Sequence, residues 1–235
     1  MYEIADESTH LIITKPRFPM FKKWDSYYQN LDFEAQHEYL KSTWKECYRI
    51  LVNGGICCII MSDITRNINK DFVCYPNCAK TTTVCRELGF KTLIPIYCQS
   101  SEKRQTSFLG SGFLPVNAYV KQELRTIIIL RKGKLRKFKR QTEIENRKKS
   151  TFSKEERNLW FSQLWTIPRQ AKLNDISEEV VYRLIRMFSV TYDLIVDPFS
   201  ESNTIVGHTA LQLDRNFLGY LMDDREGKST ILTKL

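Results

Sequence analysis

Nine glycines and seven prolines in 235 residues are too few for a collagen-like repeat or a linker-rich chain, and no low-complexity tract or internal repeat is visible. No apolar run reaches membrane-spanning length. The amino-terminal residues carry no charged stretch leading into an apolar one, and the seven cysteines are odd in number. A secreted disulfide scaffold is therefore not expected, and a reducing cytoplasm is. Cys74, Cys78, Cys85 and Cys98 lack the paired C-x2-C knuckles of a zinc site, so they are read as buried or surface thiols and no metal is expected.

An apolar fraction of 42% and an aromatic fraction of 12% supply a real core. The length suits one α/β domain, or one domain with a large inserted region. The formal charge of +9 favours a polyanionic partner. Its distribution says more than its total. Between Arg131 and Lys149 ten basic residues face only Glu143 and Glu145, so nearly the whole excess lies in one segment. Such a run alone is equally a solvated face or a nucleic-acid contact.

Along the chain, HLIIT (His10 to Thr14) reads as a short buried strand ending at Pro16. Phe33, His37, Leu40, Trp44, Cys47 and Leu51 follow helical spacing, with Asn53-Gly54-Gly55 as a stop. ICCIIM (Ile56 to Met61) predicts a second strand, Asn77 to Leu88 a helix closed by Gly89, TLIPIYC (Thr92 to Cys98) a third strand, and IIIL (Ile127 to Leu130) a fourth. After the basic segment and ERNLWFSQLW come a helix from a well-made Ser177 start, the strand LIVD (Leu194 to Asp197), a helix from Thr204 and a strand from Phe217 to Leu221. Trp160, Phe161, Leu164 and Trp165 fit one helical face and are read as packing residues. His208 is read as a surface residue, and Gly110-Ser111-Gly112 lacks the strand-to-helix context of a phosphate loop. Alternating helices and continuous apolar strands imply a mostly parallel sheet covered on both faces.

In open α/β sheets, ligands bind beyond the carboxyl ends of strands, which points to the loops after HLIIT and after LIVD. HLIIT-KPRF-P resembles the TSPPYP segment of site-specific DNA methyltransferases that act on exocyclic amines. VDPFSESNT resembles their DPF-x-G-x-GT cofactor loop. The order, amine motif first and cofactor motif last, matches the permuted class of that family. WD, NGG, FLGSGFLP, RKG, EERNLWFSQLW, YRLI-x-MFSV and RNFLGY look like family segments in the same order.

The resemblance implies a Rossmann-like, S-adenosylmethionine-dependent fold of permuted motif order. Residues 1–130 would be the first part of its core, 131–175 a basic and Trp-rich target-recognition insert, and 176–235 the second part, ending early with its sheet edge shortened or differently covered. It implies methyl transfer to N4 of cytosine or N6 of adenine in double-stranded DNA, the base being rotated out of the duplex, in a restriction-modification or phage-like setting. The frame of Thr14 and Pro19 tilts toward the cytosine-N4 group. By position the basic insert supplies phosphate contacts through Arg136, Lys137, Lys139, Arg140, Lys148 and Lys149.

In the amine motif a side-chain oxygen and the next proline carbonyl accept from the amino group, and an aromatic ring stacks on the flipped base. Here those catalytic positions are Lys15, Pro16, Arg17 and Phe18. The carbonyl and the ring survive, but a protonated lysine has three donors and no acceptor. In the cofactor loop Asp197, Pro198, Phe199 and Thr204 match, whereas Glu201 and Asn203 replace glycines. The ribose-binding carboxylate at the end of the next strand is Leu221, with Asp223 two residues on. Impaired catalysis is expected, and the alternative is a non-catalytic DNA-binding subunit, acting as a homodimer or beside an intact methyltransferase. The reaction needs no histidine base.

Overall fold

The computed structural model describes residues 1–69, 71–101, 110–168, 177–200, 204–222 and 229–234. HLIIT becomes strand β1 (Thr9–Thr14), whose alternate side chains part to opposite faces of a sheet. Leu11 and Ile13 join one buried cluster and Ile12 the other. The continuous apolar run is thus explained by burial on both faces.

Helix α1 (Phe33–Ile50) starts at Asp32, whose side chain accepts from the Ala35 amide, and buries His37, Leu40, Trp44 and Cys47. It ends at Ile50, and the chain is already extended at Leu51. Asn53-Gly54-Gly55 therefore does not end the helix. It lies inside β2 (Leu51–Met61), where the pairing with β1 shifts between Thr9 and Leu11. Gly54 has φ +90, and a Cβ there would sit 2.3 Å from the Arg136 backbone nitrogen. The glycine is required by close chain approach rather than by helix termination.

A hairpin that the periodicity did not disclose follows, β3 (Ile64–Ile68) paired with β4 (Asp71–Tyr75). Helix α2 (Asn77–Glu87) ends before Gly89, at φ +102. The expected third strand is broken at Pro95 into β5 (Lys91–Thr92) and β6 (Ile96–Ser100), both antiparallel to β7 (Leu124–Arg131). A proline cannot donate to the ladder. Helices α3 (Gln141–Lys149) and α4 (Lys154–Trp160) follow.

The Trp-rich stretch is not one helical face. α4 ends at Trp160, and the chain returns to the sheet as β8 (Leu164–Ile167), parallel to β6. Strand alternation buries Trp165 and Ile167 while leaving Leu164 and Thr166 outward. Both tryptophans are packed in the core, and the Trp165 indole donates to the Trp160 carbonyl.

Ser177 is the N-cap of α5 (Glu178–Phe188), but its side chain makes no capping bond. Strand β9 (Leu194–Ser200), α6 (Ile205–Gln212), β10 (Asn216–Met222) and β11 (Ser229–Lys234) complete the chain. Among the described residues nine strands form one mixed sheet, in the order β11, β10, β9, β1, β2, β7, β6, β8, with β5 against β7. β10, β9, β1 and β2 run parallel. The edge beyond β10 is covered by β11. Helices α1 and α2 cover one face, α5 and α6 the other, a three-layer α/β sandwich.

Candidate functional site

Strands β1 and β9 are hydrogen-bonded parallel neighbours, Leu11 opposite Ile195 and Ile12 opposite Val196. Their carboxyl ends, and so the two motif loops, emerge side by side. The Thr14 hydroxyl donates to Asp197 Oδ1 over 2.7 Å, and both residues are buried. The same oxygen accepts from the Phe199 amide at 3.1 Å, turning the chain after Asp197. Hydrogen bonds to a charged acceptor are the stronger kind, so one carboxylate fixes the start of both loops.

The loop after β1 is held at nearly every residue. Pro16, Phe18 and Pro19 are buried, while Lys15 and Arg17 are half-buried. The Tyr28 hydroxyl donates to the Arg17 carbonyl at 2.5 Å, and burial raises its pKa far above the ordinary tyrosine value, so it remains a donor. The Arg17 guanidinium lies 4.1 Å from the Tyr27 ring centroid and 4.9 Å from that of Trp24. The Met20 amide donates to Gln36 Oε1 at 2.8 Å, and the Met20 carbonyl accepts from Arg66 of β3, which also pairs with Asp25.

Asn77 at the start of α2 donates to the carbonyls of Pro19 (3.0 Å) and Ser62 (3.2 Å). Its Oδ1 faces His37 Nε2 at 3.0 Å. The amide's donors are thus committed, so the imidazole carries its hydrogen on Nε2. Burial lowers the His37 pKa, an effect the Asn77 bond opposes. Phe18 is 7% exposed and packs in the core cluster with Tyr28 and Trp44, so little of its ring is offered to a base.

In the second loop Pro198 is buried, and Phe199 is half-buried with its ring 6.0 Å from that of Trp44. Glu201, Asn203 and Asp223 lie outside the described residues. Thr204 caps α6, its hydroxyl accepting from the Gly207 amide. Leu221 is half-buried opposite Ser200, after a register shift from Gly219. His208 is exposed, 3.0 Å from Gln212. Among the described residues no cluster of three or more His, Cys, Asp or Glu could hold a metal.

The basic segment leaves from the other edge. β7 is antiparallel to β2, with Arg131 opposite Ile56, so the chain after β7 emerges at the amino ends of the parallel strands. The Gly54 amide donates to the Lys132 carbonyl there. Arg136 makes a two-pronged pair with Asp193, at 2.6 and 2.9 Å, just before β9. His10 Nε2 is 3.6 Å from Asp193, and His10 Nδ1 accepts from the Leu194 amide. Burial lowers the His10 pKa, opposed by Asp193.

Lys137, Lys139, Arg140, Lys148 and Lys149 are exposed. At about 3.3 Å per residue the six residues of β1 separate this edge from Thr14 by about 17 Å. The structure therefore does not bring the six basic residues to the motif loops. Among the described residues, cations that do share the carboxyl edge include Lys15 and Arg17, the exposed Lys22 and Lys23 in the 3-10 turn Lys22–Trp24, and Lys121 and Arg125 entering β7. Lys15 and Arg17 were legible as motif positions, whereas strand direction reveals the other four, for which the sequence offered only a Lys-Lys pair shortly after the first motif.

A family model described as DNA methylase, of the N6/N4 class, matches residues 9–230. Type II methyltransferase M.MjaI of Methanocaldococcus jannaschii is 39% identical, the match covering 95% of this chain and 84% of that protein. Type II methyltransferase M.MthZI of Methanothermobacter thermautotrophicus is 33% identical, over 95% and 70%. A Thermus thermophilus protein described as a putative DNA modification methylase, complexed with S-adenosyl-L-methionine, superposes with a TM-score of 0.77 at 28% identity, covering 95% of this chain and 84% of that one. PvuII DNA methyltransferase, cytosine-N4-specific by its description, shares the fold at a TM-score of 0.68 and 18% identity, over 94% and 78%.

Proposed function

We propose, for a chain that belongs to the N6/N4 DNA methylase family, that it receives an exocyclic amine of duplex DNA between the loops after β1 and β9 and methylates it at a severely reduced rate. S-adenosylmethionine, the cofactor of this family, supplies a methyl group made electrophilic by its sulfonium. The described residues suit that group in part. The buried Asp197 and the start of α6 stand where the cofactor loop begins. Leu221, opposite Ser200, brings an aliphatic side chain to the place of the family's ribose-binding carboxylate. It accepts no hydrogen bond, so at Leu221 itself the cofactor ribose has no acceptor, and Asp223, which could stand in only if the strand shifts register, lies outside the described residues.

The observation that carries the reading is Lys15, which follows directly on a Thr14 locked to Asp197. An acceptor at that position would orient the amine's lone pair. An ammonium there offers only donors and repels an amine that becomes cationic as it attacks. Losing one preorganised group of this kind costs about 10²–10³ in rate. The frame of Thr14 and Pro19, which both groups share, tilts the acceptor toward N4 of cytosine over N6 of adenine. Calorimetry with S-adenosylmethionine, paired with labelled-methyl transfer to plasmid DNA, tests the proposal. Cofactor binding weaker than micromolar and slow transfer are expected, whereas micromolar binding with rapid transfer would overturn it.

DNA must present its base at the carboxyl edge, which assigns the nearest phosphate contacts to Lys22, Lys23, Lys121 and Arg125. Lys137, Lys139, Arg140, Lys148 and Lys149 are left with a second, sequence-independent contact at the opposite edge, and Arg136 is engaged by Asp193. A second reading is favoured by Leu221 together with the buried Phe18 ring. In it the chain is a DNA-binding subunit that pairs with itself or with an intact methyltransferase. It predicts salt-sensitive duplex binding that is indifferent to cofactor.

A further inference from the structure

Between β6 and β7 the chain makes an excursion from the carboxyl edge of the sheet, and its described part, residues 110–123, is built as a small platform. Gly110 bridges Ala118, the Ser111 amide donates to the Asn117 carbonyl at 2.8 Å, and the Ser111 hydroxyl donates to the Leu114 carbonyl at 2.6 Å. Gly110 has φ +70, and a Cβ there would lie 2.0 Å from the Asn117 carbonyl oxygen. Val116 adopts φ +81, a left-handed conformation that a β-branched residue reaches only under strain. Tyr119 stacks on Phe72 of β4, ring centroids 4.8 Å apart and 22° from parallel.

Within the β3–β4 hairpin, Phe72 pairs with Asn67, and Arg66 pairs with Val73. Phe72 and Arg66 therefore project to opposite faces. One face holds the apolar excursion and the other reaches the Met20 carbonyl of the first motif loop. The excursion is thus tied to the loop that would receive the target base.

What this platform presents is apolar. Phe113 is 85% exposed, Leu114 70%, Val116 94% and Val120 93%. Lone exposed apolar residues need no explanation, but a group of them on one loop does. Here the group stands at the edge that DNA must approach, with Lys121 and Arg125 next along the chain.

We propose that Phe113 and Leu114 form a wedge that enters the base stack of duplex DNA beside the target nucleotide and fills the space it vacates. Apolar side chains inserted between base steps unstack and kink a duplex, and extruding a base is easier where its neighbours gain a replacement stacking surface. The pinned turn and the strained Val116 hold the tip ready for insertion. The inference rests on the reading of this edge as the DNA-binding edge.

The test compares an intact 30-base-pair duplex with the same duplex carrying one central abasic site flanked by 2-aminopurine. A wedge finds its space already open in the second. The wild-type chain is expected to prefer the abasic duplex by about tenfold or more and to change the 2-aminopurine fluorescence. The double variant Phe113→Ser, Leu114→Ser is expected to lose the preference and the fluorescence change while binding intact DNA as before. Leu114→Met alone should retain both, and a cooperative thermal transition in every variant shows that the fold is kept. Equal wild-type affinity for the two duplexes, or a preference that survives the double substitution, overturns the wedge but leaves the DNA reading standing. Binding to neither duplex overturns both. A double variant that keeps the preference but sediments as a smaller oligomer would reassign the patch to contact between copies.

Discussion

The hydroxyl of Thr14 donates to the carboxylate of Asp197 across 2.7 Å of space and 183 residues of sequence. Thr14 ends β1, which opens the first motif loop, and Asp197 lies in β9, which carries the second. Thr14→Val removes the donor while nearly preserving shape, and the Phe199 amide continues to donate to Asp197 Oδ1. A hydrogen bond to a charged group contributes about 1.5–3 kcal/mol, and a loss of that size is expected in denaturant unfolding. A variant as stable as the parent would mean that this contact does not hold the loops.

Under the proposed function, Lys15 and Leu221 act on separate steps. Lys15→Ser restores an acceptor for the amine and should raise methyl transfer by about 10²-fold or more without tightening cofactor binding. Leu221→Asp should tighten cofactor binding without restoring transfer. Labelled-methyl incorporation, calorimetry and mass spectrometry of digested DNA separate the two, with N4-methylcytosine as the expected product. If the double variant stays inert, the replaced glycines at Glu201 and Asn203 become the next positions to restore.

Acid should destabilise the protein through the buried His37 and the half-buried His10. His37 and His10 both have pKa values below the ordinary 6.5, chiefly through burial. The unfolded chain then binds more protons than the folded one between each lowered value and 6.5, so stability falls as pH drops through that window and levels off below it. His37→Gln retains a donor for Asn77 without the titration. Its unfolding free energy should depend less on pH between about 7.5 and 5.5 than that of the parent, and an unchanged slope would exclude His37 as a contributor.

The two groups of cations should differ in kind. Lys22→Gln with Lys23→Gln should reduce the salt slope of duplex binding by roughly two phosphates' worth, about 0.9 each, and should weaken methyl transfer by any reactivated variant. Neutralising Lys137, Lys139, Arg140, Lys148 and Lys149 should lower affinity but leave that transfer at saturating DNA unchanged. Arg136→Met should act on stability, by about 3 kcal/mol, because it strips the buried Asp193 of its two-pronged partner. Filter binding across a salt series and thermal melts would read all three.

Much of the fold was legible locally. Continuous apolar runs at β1, β2, β7 and β9 marked strands buried on both faces, and the spacing of His37, Leu40, Trp44 and Cys47 marked the inward stripe of α1. TLIPIYC reads as one strand, but Pro95, which cannot donate to a ladder, parts it into β5 and β6. The β3–β4 hairpin was missed because it lies off the main sheet, β3 is mostly polar, and the apolar stretch from Phe72 to Tyr75 of β4 is too short to mark a strand by itself. Trp160 and Trp165 were recognisable as packing residues but not as helix and strand, since a few apolar residues in a short window satisfy either period.

The sequence by itself determined the motifs, the identity of Lys15 and Leu221, and the concentration of charge between Arg131 and Lys149. Only the tertiary structure decided what stands beside what. An apolar run specifies burial but not direction, so nothing local says that β7 runs against its neighbours. That reversal sends the basic segment to the edge where Arg136 meets Asp193. The same strand begins at the opposite edge, where the apolar excursion of Phe113 and Leu114 is tied through the β3–β4 hairpin to the first of the two loops that Thr14 and Asp197 hold together.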